Sequence, residues 1–190
     1  TRPSKGVCEV VCYSSNHSKT FATLPISQIR KLTRVWKERY CELSLIGGIE
    51  YVFIFENKGE VIGVTLTHPH GQIYAYPFLP LTLQTEISSE KKHFDSTQRL
   101  LADDWLEFEL IESEKKRVLY QNDTFVALVP FFARYTYEVH VVARKSLSTL
   151  AEFSSSQLDD LAEALQIVTK TYDNLFGFSL PYIMAMHQFD

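Results

Sequence analysis

The chain repeats itself at one fixed offset. Glu9-Val10 returns as Glu138-Val139, Thr20 as Thr149, Ala22 as Ala151 and Ser27-Gln28-Ile29 as Ser156-Gln157-Leu158, every pair separated by 129 residues (138 − 9 = 156 − 27 = 129). Duplication restricts the fold more than any bulk property, because both copies must bury the same apolar face in the same way. Each copy passes through a helix to a strand carrying histidine, His68 and His70 in the first and His187 in the second. The expectation is an α+β fold of two duplicated halves, each an antiparallel sheet with one main helix. They would span residues 1–82 and, incompletely, 117–190, joined by a helical connection over 83–116.

Hydrophobic period supplies the elements. A strand is expected at Cys8 to Tyr13, and a helix follows from Ile29, Leu32, Trp36, Tyr40 and Leu43, ended by Gly47-Gly48. Strands are expected from Tyr51 to Glu56, broken by the turn Asn57-Lys58-Gly59, and from Val64 through Tyr76. Leu83 to Ile111 reads as helix in pieces, Arg117–Tyr120 and Phe125–Val129 as a hairpin, and Tyr137–Val142 as a further strand. Ser154-Ser155-Ser156 should cap a long helix that Gly177 stops, and Tyr182–His187 closes the order as a strand.

A hydrophobic share of 45% with 22% charged residues is ordinary globular usage. Net charge is −4 and the basic residues are scattered, which argues against a nucleic-acid partner. The absence of a long apolar run or a secretion leader points away from membranes and toward a cytoplasmic protein. Cys8, Cys12 and Cys41 are too few and odd in number for a disulfide scaffold. Cys8 and Cys12 share a strand face, as small buried hydrophobes or, less often, as a metal pair.

Chemistry concentrates in His68-Pro69-His70-Gly71-Gln72. Extended, this segment puts His68, His70, Gln72 and Tyr74 on one face, which makes a poor core. A solvated edge strand would suit Pro69, and a structural metal pair would suit the histidines. Phe55-Glu56-Asn57-Lys58-Gly59 just upstream, a glycine that lets phosphate approach the backbone, and Phe78-Leu79-Pro80 downstream favour a different reading.

Together the stretch from Tyr51 to Pro80 resembles galactose-1-phosphate uridylyltransferase, a branch of the histidine triad superfamily whose hallmark is the His-Pro-His-Gly-Gln run. Ser15-Asn16-His17-Ser18-Lys19-Thr20, Val129-Pro130-Phe131, Tyr172-Asp173-Asn174-Leu175-Phe176 and Pro181-Tyr182 extend the resemblance over nearly the whole chain. It implies histidine-triad-like halves, in agreement with the repeat. It also implies that His70 is the nucleophile, forming a covalent uridylyl-histidine, with Gln72 bonding phosphoryl oxygens. Asn57, Gly63 and Thr65 would line the nucleotide pocket, threonine replacing the more usual serine. The implied reaction is ping-pong exchange of UMP between UDP-glucose and galactose 1-phosphate or a similar hexose 1-phosphate, in a homodimer. The same residues would serve a phosphorylase that uses phosphate as acceptor, and a silent nucleotide-binding fragment stands as the non-enzymatic alternative.

The resemblance implies metals as well: His17 and His68 as zinc ligands, Glu86 and His187 as ligands of a second site for iron or zinc. In the family a Cys-x-x-Cys pair ahead of the first strand and a His-x-His pair after the last complete these sites. Neither is in this sequence, so the expectation is a fragment, one piece of a split enzyme, or the ordered part of a longer chain.

Overall fold

The computed structural model describes residues 5–112 and 114–188. A four-stranded antiparallel sheet contains β1 (Val7–Cys12), β2 (Tyr51–Lys58), β3 (His70–Tyr76) and β7 (Tyr182–Ala185), in the order β1-β3-β2-β7. A three-stranded antiparallel sheet contains β4 (Val118–Gln121), β5 (Phe125–Leu128) and β6 (His140–Ala143) in sequence order. Between the two lie α1 (Ile26–Ser44) and α4 (Ser155–Phe176), while α2 (Leu81–Thr97) and α3 (Leu101–Glu107) form the connection.

The duplication is visible in the backbone. Thr20 and Thr149 each open a single tight turn with a reciprocal capping box, Phe21–Thr23 and Leu150–Glu152. The main helices then begin at Ile26 and Ser155, again 129 apart (155 − 26). α4 has a true cap, since Ser154 Oγ accepts from the Gln157 N–H, and it ends on Gly177 in the left-handed region at φ 72°.

The two helices pack against each other across the repeat. Thr33 Oγ1 donates to the Leu158 carbonyl at 3.1 Å, Lys37 Nζ to Phe153 O at 2.6 Å and Gln166 Nε2 to Leu24 O at 2.7 Å. Tyr13, Ile29, Trp36, Ile54 and Ile73 from one copy and Phe125, Leu158, Leu161 and Leu165 from the other form one buried cluster. β7 comes from the second copy, yet it pairs with β2 of the first, with Phe55 opposite Ala185 and Asn57 opposite Ile183. Gln188, also buried, bonds Leu150 N and Val52 O, so the copies are stitched together at that end too.

Four local expectations need correction. β3 begins at His70 and not at Val64: residues 64–69 form a loop that Pro69, lacking an N–H, cannot bring into the ladder. β3 lies between β1 and β2, so the solvated-edge reading fails. β6 begins at His140 and not Tyr137, because Tyr137 sits at φ 63° and the Glu138 carboxylate folds back to accept from the N–H groups of Arg134 and Tyr135. Cys8 and Cys12 do share a face, but it is exposed, so neither is a core hydrophobe. Among the described residues no helix is long and apolar enough to cross a membrane.

Candidate active site

Strand alternation sorts the four-stranded sheet into two faces. One carries Val52, Ile54 and Glu56 with Gly71, Ile73 and Ala75, and turns toward α1 and α4. The other carries His70, Gln72, Tyr74 and Tyr76 beside Phe53 and Phe55, with Cys8, Val10 and Cys12 across the register on β1. This second face is open and aromatic. Phe53 stacks on Phe55 at 5.0 Å, Phe55 meets Tyr74 edge-on at 4.9 Å, and Tyr76 stacks on Phe78 at 5.1 Å.

His70 begins β3 half-buried, opposite Cys12. Its Nδ1 lies 2.7 Å from the carbonyl of His68. A carbonyl can only accept, so Nδ1 is the donor, and in the neutral imidazole this tautomer leaves Nε2 unprotonated, as a nucleophilic imidazole requires. Two residues on, Gln72 accepts from the Tyr74 hydroxyl through Oε1 at 2.9 Å. That bond orients the amide and leaves its NH2 group as the available donor. Tyr74 was read from sequence only as a neighbour on the face; its orienting role comes from the structure.

A small pocket lies at the mouth of the sheet, lined among others by Lys19, Glu56, Asn57, Lys58, His68 and His70. Asn57 and His70 both line it. Gly63 and Thr65 sit in the adjoining loop without lining this pocket; Gly63 takes φ 87° and its N–H closes the turn onto Glu60 O at 2.9 Å. Lys19 and Lys58 line the pocket together with Glu56 and Glu60. Lys58 is held by Asp173 at 3.6 Å and lies over the Tyr182 ring at 5.1 Å.

His17 and His68 do come together, 51 residues apart in sequence, with their Nδ1 atoms 2.9 Å from each other. Two imidazoles on one tetrahedral zinc, at Zn–N distances of about 2.0–2.1 Å, would stand roughly 3.3 Å apart, so the pair fits half of a zinc shell with little movement. Glu86 and His187 also meet, His187 Nδ1 being 2.9 and 3.0 Å from the two carboxylate oxygens. The Glu86 carboxylate holds the His187 imidazole pKa above its ordinary value against partial burial. Among the described residues no group of three or more His, Cys, Asp or Glu side chains converges, so each pair is a partial donor set.

Sequence reasoning missed Glu56. This carboxyl is 3% exposed. Burial pushes its pKa up to about 7, against the opposing influence of the neighbouring Tyr182 and Tyr13 hydroxyls and the charge of Lys58. Tyr13 Oη donates to it at 3.4 Å; the Tyr182 hydroxyl is enclosed beside it without a well-formed bond. The signal was present in the alternation Val52-Ile54-Glu56, which assigns the acid to the inward face.

Residues 1–80 match the model of the galactose-1-phosphate uridyl transferase N-terminal domain, and residues 86–190 match that of its C-terminal domain. A Thermotoga maritima galactose-1-phosphate uridylyltransferase is 42% identical over 97% of this chain, and a Schizosaccharomyces pombe one is 37% identical over 99%. The chain spans 57% and 52% of those relatives, about half their length. A solved uridylyltransferase superposes with TM-score 0.91 at 34% identity, over 97% of this chain and 58% of that one. An Arabidopsis thaliana ADP-glucose phosphorylase shares the fold, at TM-score 0.86 and 22% identity, over 96% of this chain and 57% of that one. With both domain models matched in order and the histidine run placed on the open sheet face, the chain belongs to the galactose-1-phosphate uridylyltransferase family.

Proposed function

We propose that this chain exchanges UMP between UDP-glucose and a hexose 1-phosphate such as galactose 1-phosphate, through a covalent intermediate on His70. The observation that carries the reading is the His70 Nδ1 bond to the His68 carbonyl, which leaves Nε2 free to attack. In the first half-reaction Nε2 bonds to the α-phosphorus and the bond to the bridging oxygen breaks, releasing glucose 1-phosphate. The acceptor phosphate then attacks the same phosphorus and His70 leaves. The Gln72 amide, aimed by Tyr74, would donate to oxygens on which charge grows, and Lys19 and Lys58 would offset the negative charge of the diphosphate. Asn57 lines the same pocket, while Gly63 and Thr65 would approach the nucleotide from the neighbouring loop. The aromatic rows beside Gln72 offer ring faces for a pyrimidine base.

Zinc at His17 and His68, and iron or zinc at Glu86 and His187, belong to the same proposal. Bound there, a metal would fix the loop path into His70 by cross-linking two distant segments. A homodimer is part of it too, supported by exposed aromatic residues such as Phe131, 65% exposed, and Tyr135, 76% exposed.

Incubation with UDP-glucose labelled at the α-phosphorus tests the reading. Wild type should take up an acid-labile, alkali-stable label that His70→Ala cannot acquire. Native mass spectrometry of the same sample should show zinc and a pair of chains. Failure of wild type to label would refute the covalent route, and release of glucose 1-phosphate by inorganic phosphate but not by galactose 1-phosphate would convert it to a phosphorylase.

A further inference from the structure

We infer that Glu56 is a positioning residue for His70, acting through Tyr13 and Gly71; this rests on the reading of His70 as nucleophile. Tyr13 touches the chain on both sides of that histidine. Its N–H donates to the Pro69 carbonyl at 2.9 Å, and its ring occupies the space beneath Gly71. A Cβ at residue 71 would stand 2.1 Å from Tyr13 Oη and 3.1 Å from the Phe55 carbonyl, so the glycine of the histidine run is required by this tyrosine.

The rest of Tyr13 is fixed independently. Gln28 Nε2, from α1, donates to its carbonyl at 3.0 Å, and the ring packs edge-on against Phe21 at 5.9 Å and Trp36 at 6.3 Å. Its hydroxyl end meets Glu56, at 3.4 Å. The carboxyl in turn is closed in by Tyr182 of β7, brought to β2 by the second copy of the repeat. A buried carboxyl is costly unless it is bonded, and this one borders the pocket that His70 lines. Its surroundings form a continuous packed path from α1 and β7 to the peptide units that set the His70 tautomer. Displacement of the Tyr13 hydroxyl should therefore tilt Pro69 and Gly71 and loosen the Nδ1 bond to His68.

The test uses the full chain with Glu56→Gln, Glu56→Ala and Tyr13→Phe, each checked for folding by thermal melting. The single-turnover rate of label transfer from UDP-glucose is measured over a range of substrate concentrations, and 15N shifts report the His70 tautomer. Glu56→Gln, which keeps size and hydrogen bonding, should label within about threefold of wild type. Glu56→Ala and Tyr13→Phe should lose about ten- to hundredfold in maximal rate, the scale of a sub-ångström misplacement, with half-saturation within about twofold and a mixed tautomer. Wild-type rates and an unmixed tautomer in the folded Glu56→Ala and Tyr13→Phe proteins would overturn the inference, as would a loss confined to half-saturation. Should Glu56→Ala not fold, Tyr13→Phe decides. If wild type itself fails to label, the proposed function falls, and the tautomer shifts alone then support or refute the positioning role.

Discussion

Glu56 is the residue at which burial and charge conflict most directly. Its pKa, ordinarily 4.5, is pushed up to about 7 in the folded chain because the carboxylate form loses its water. A group whose folded pKa is raised stabilises fully below its unfolded pKa and loses that contribution as pH rises through the folded value. Stability should therefore fall between about pH 4.5 and 7, by on the order of 3 kcal/mol for this group. Glu56→Gln should flatten that segment of the pH–stability curve measured by urea denaturation; an unchanged slope would show that the carboxyl ionises freely. Other site residues were legible in different degrees. His17 with His68 and Glu86 with His187 are far apart in sequence and met only because the family pattern assigned them to common sites; the residues themselves gave no such hint. Tyr13 and Tyr74 were invisible because their roles are contacts made by a hydroxyl, and no spacing encodes those.

The two main helices show what the repeat preserves and what it lets drift. Both begin after a threonine-opened turn, but α4 is capped by Ser154 whereas α1 follows Pro25, which supplies no side-chain cap. Ser154→Ala should cost about 1 kcal/mol, a loss of roughly 2–4 °C in melting temperature. An unchanged melting temperature would mean that packing of α4 on α1 makes the cap dispensable. Elements with long apolar period, α1 and α4, were legible to within a few residues, since burial of one stripe dictates them. The starts of β3 and β6 were not. Residues 64–69 are rich in strand-forming side chains yet are turned out by Pro69, and Tyr137 adopts a left-handed backbone because the Glu138 carboxylate captures two backbone donors ahead of it. Such local captures outrank propensity and leave no periodic trace.

Taken whole, the chain has a main apolar cluster shared by both copies and a smaller one of Leu106, Val126 and Leu128 with Trp105 packed against it. β5 joins them, since Phe125 faces the first cluster while Val126 and Leu128 face the second. β7 crosses into the other copy's sheet, and Gln166 and Gln188 bond across the seam from buried positions. A duplicated chain built this way cannot lose one half without stripping buried polar groups and apolar surface from the other, so it should unfold in one cooperative step. The two tryptophans make this testable. Trp36 lies in the main cluster, stacked on Phe21 at 6.2 Å, and Trp105 lies in the smaller one, 5.2 Å from Phe132. In Trp36→Phe the fluorescence reports the Trp105 region alone, while circular dichroism reports the helices of both copies. Coincident urea midpoints are expected; a Trp105 transition that clearly precedes the helical one would show that the smaller cluster opens on its own and that β5 does not couple the halves.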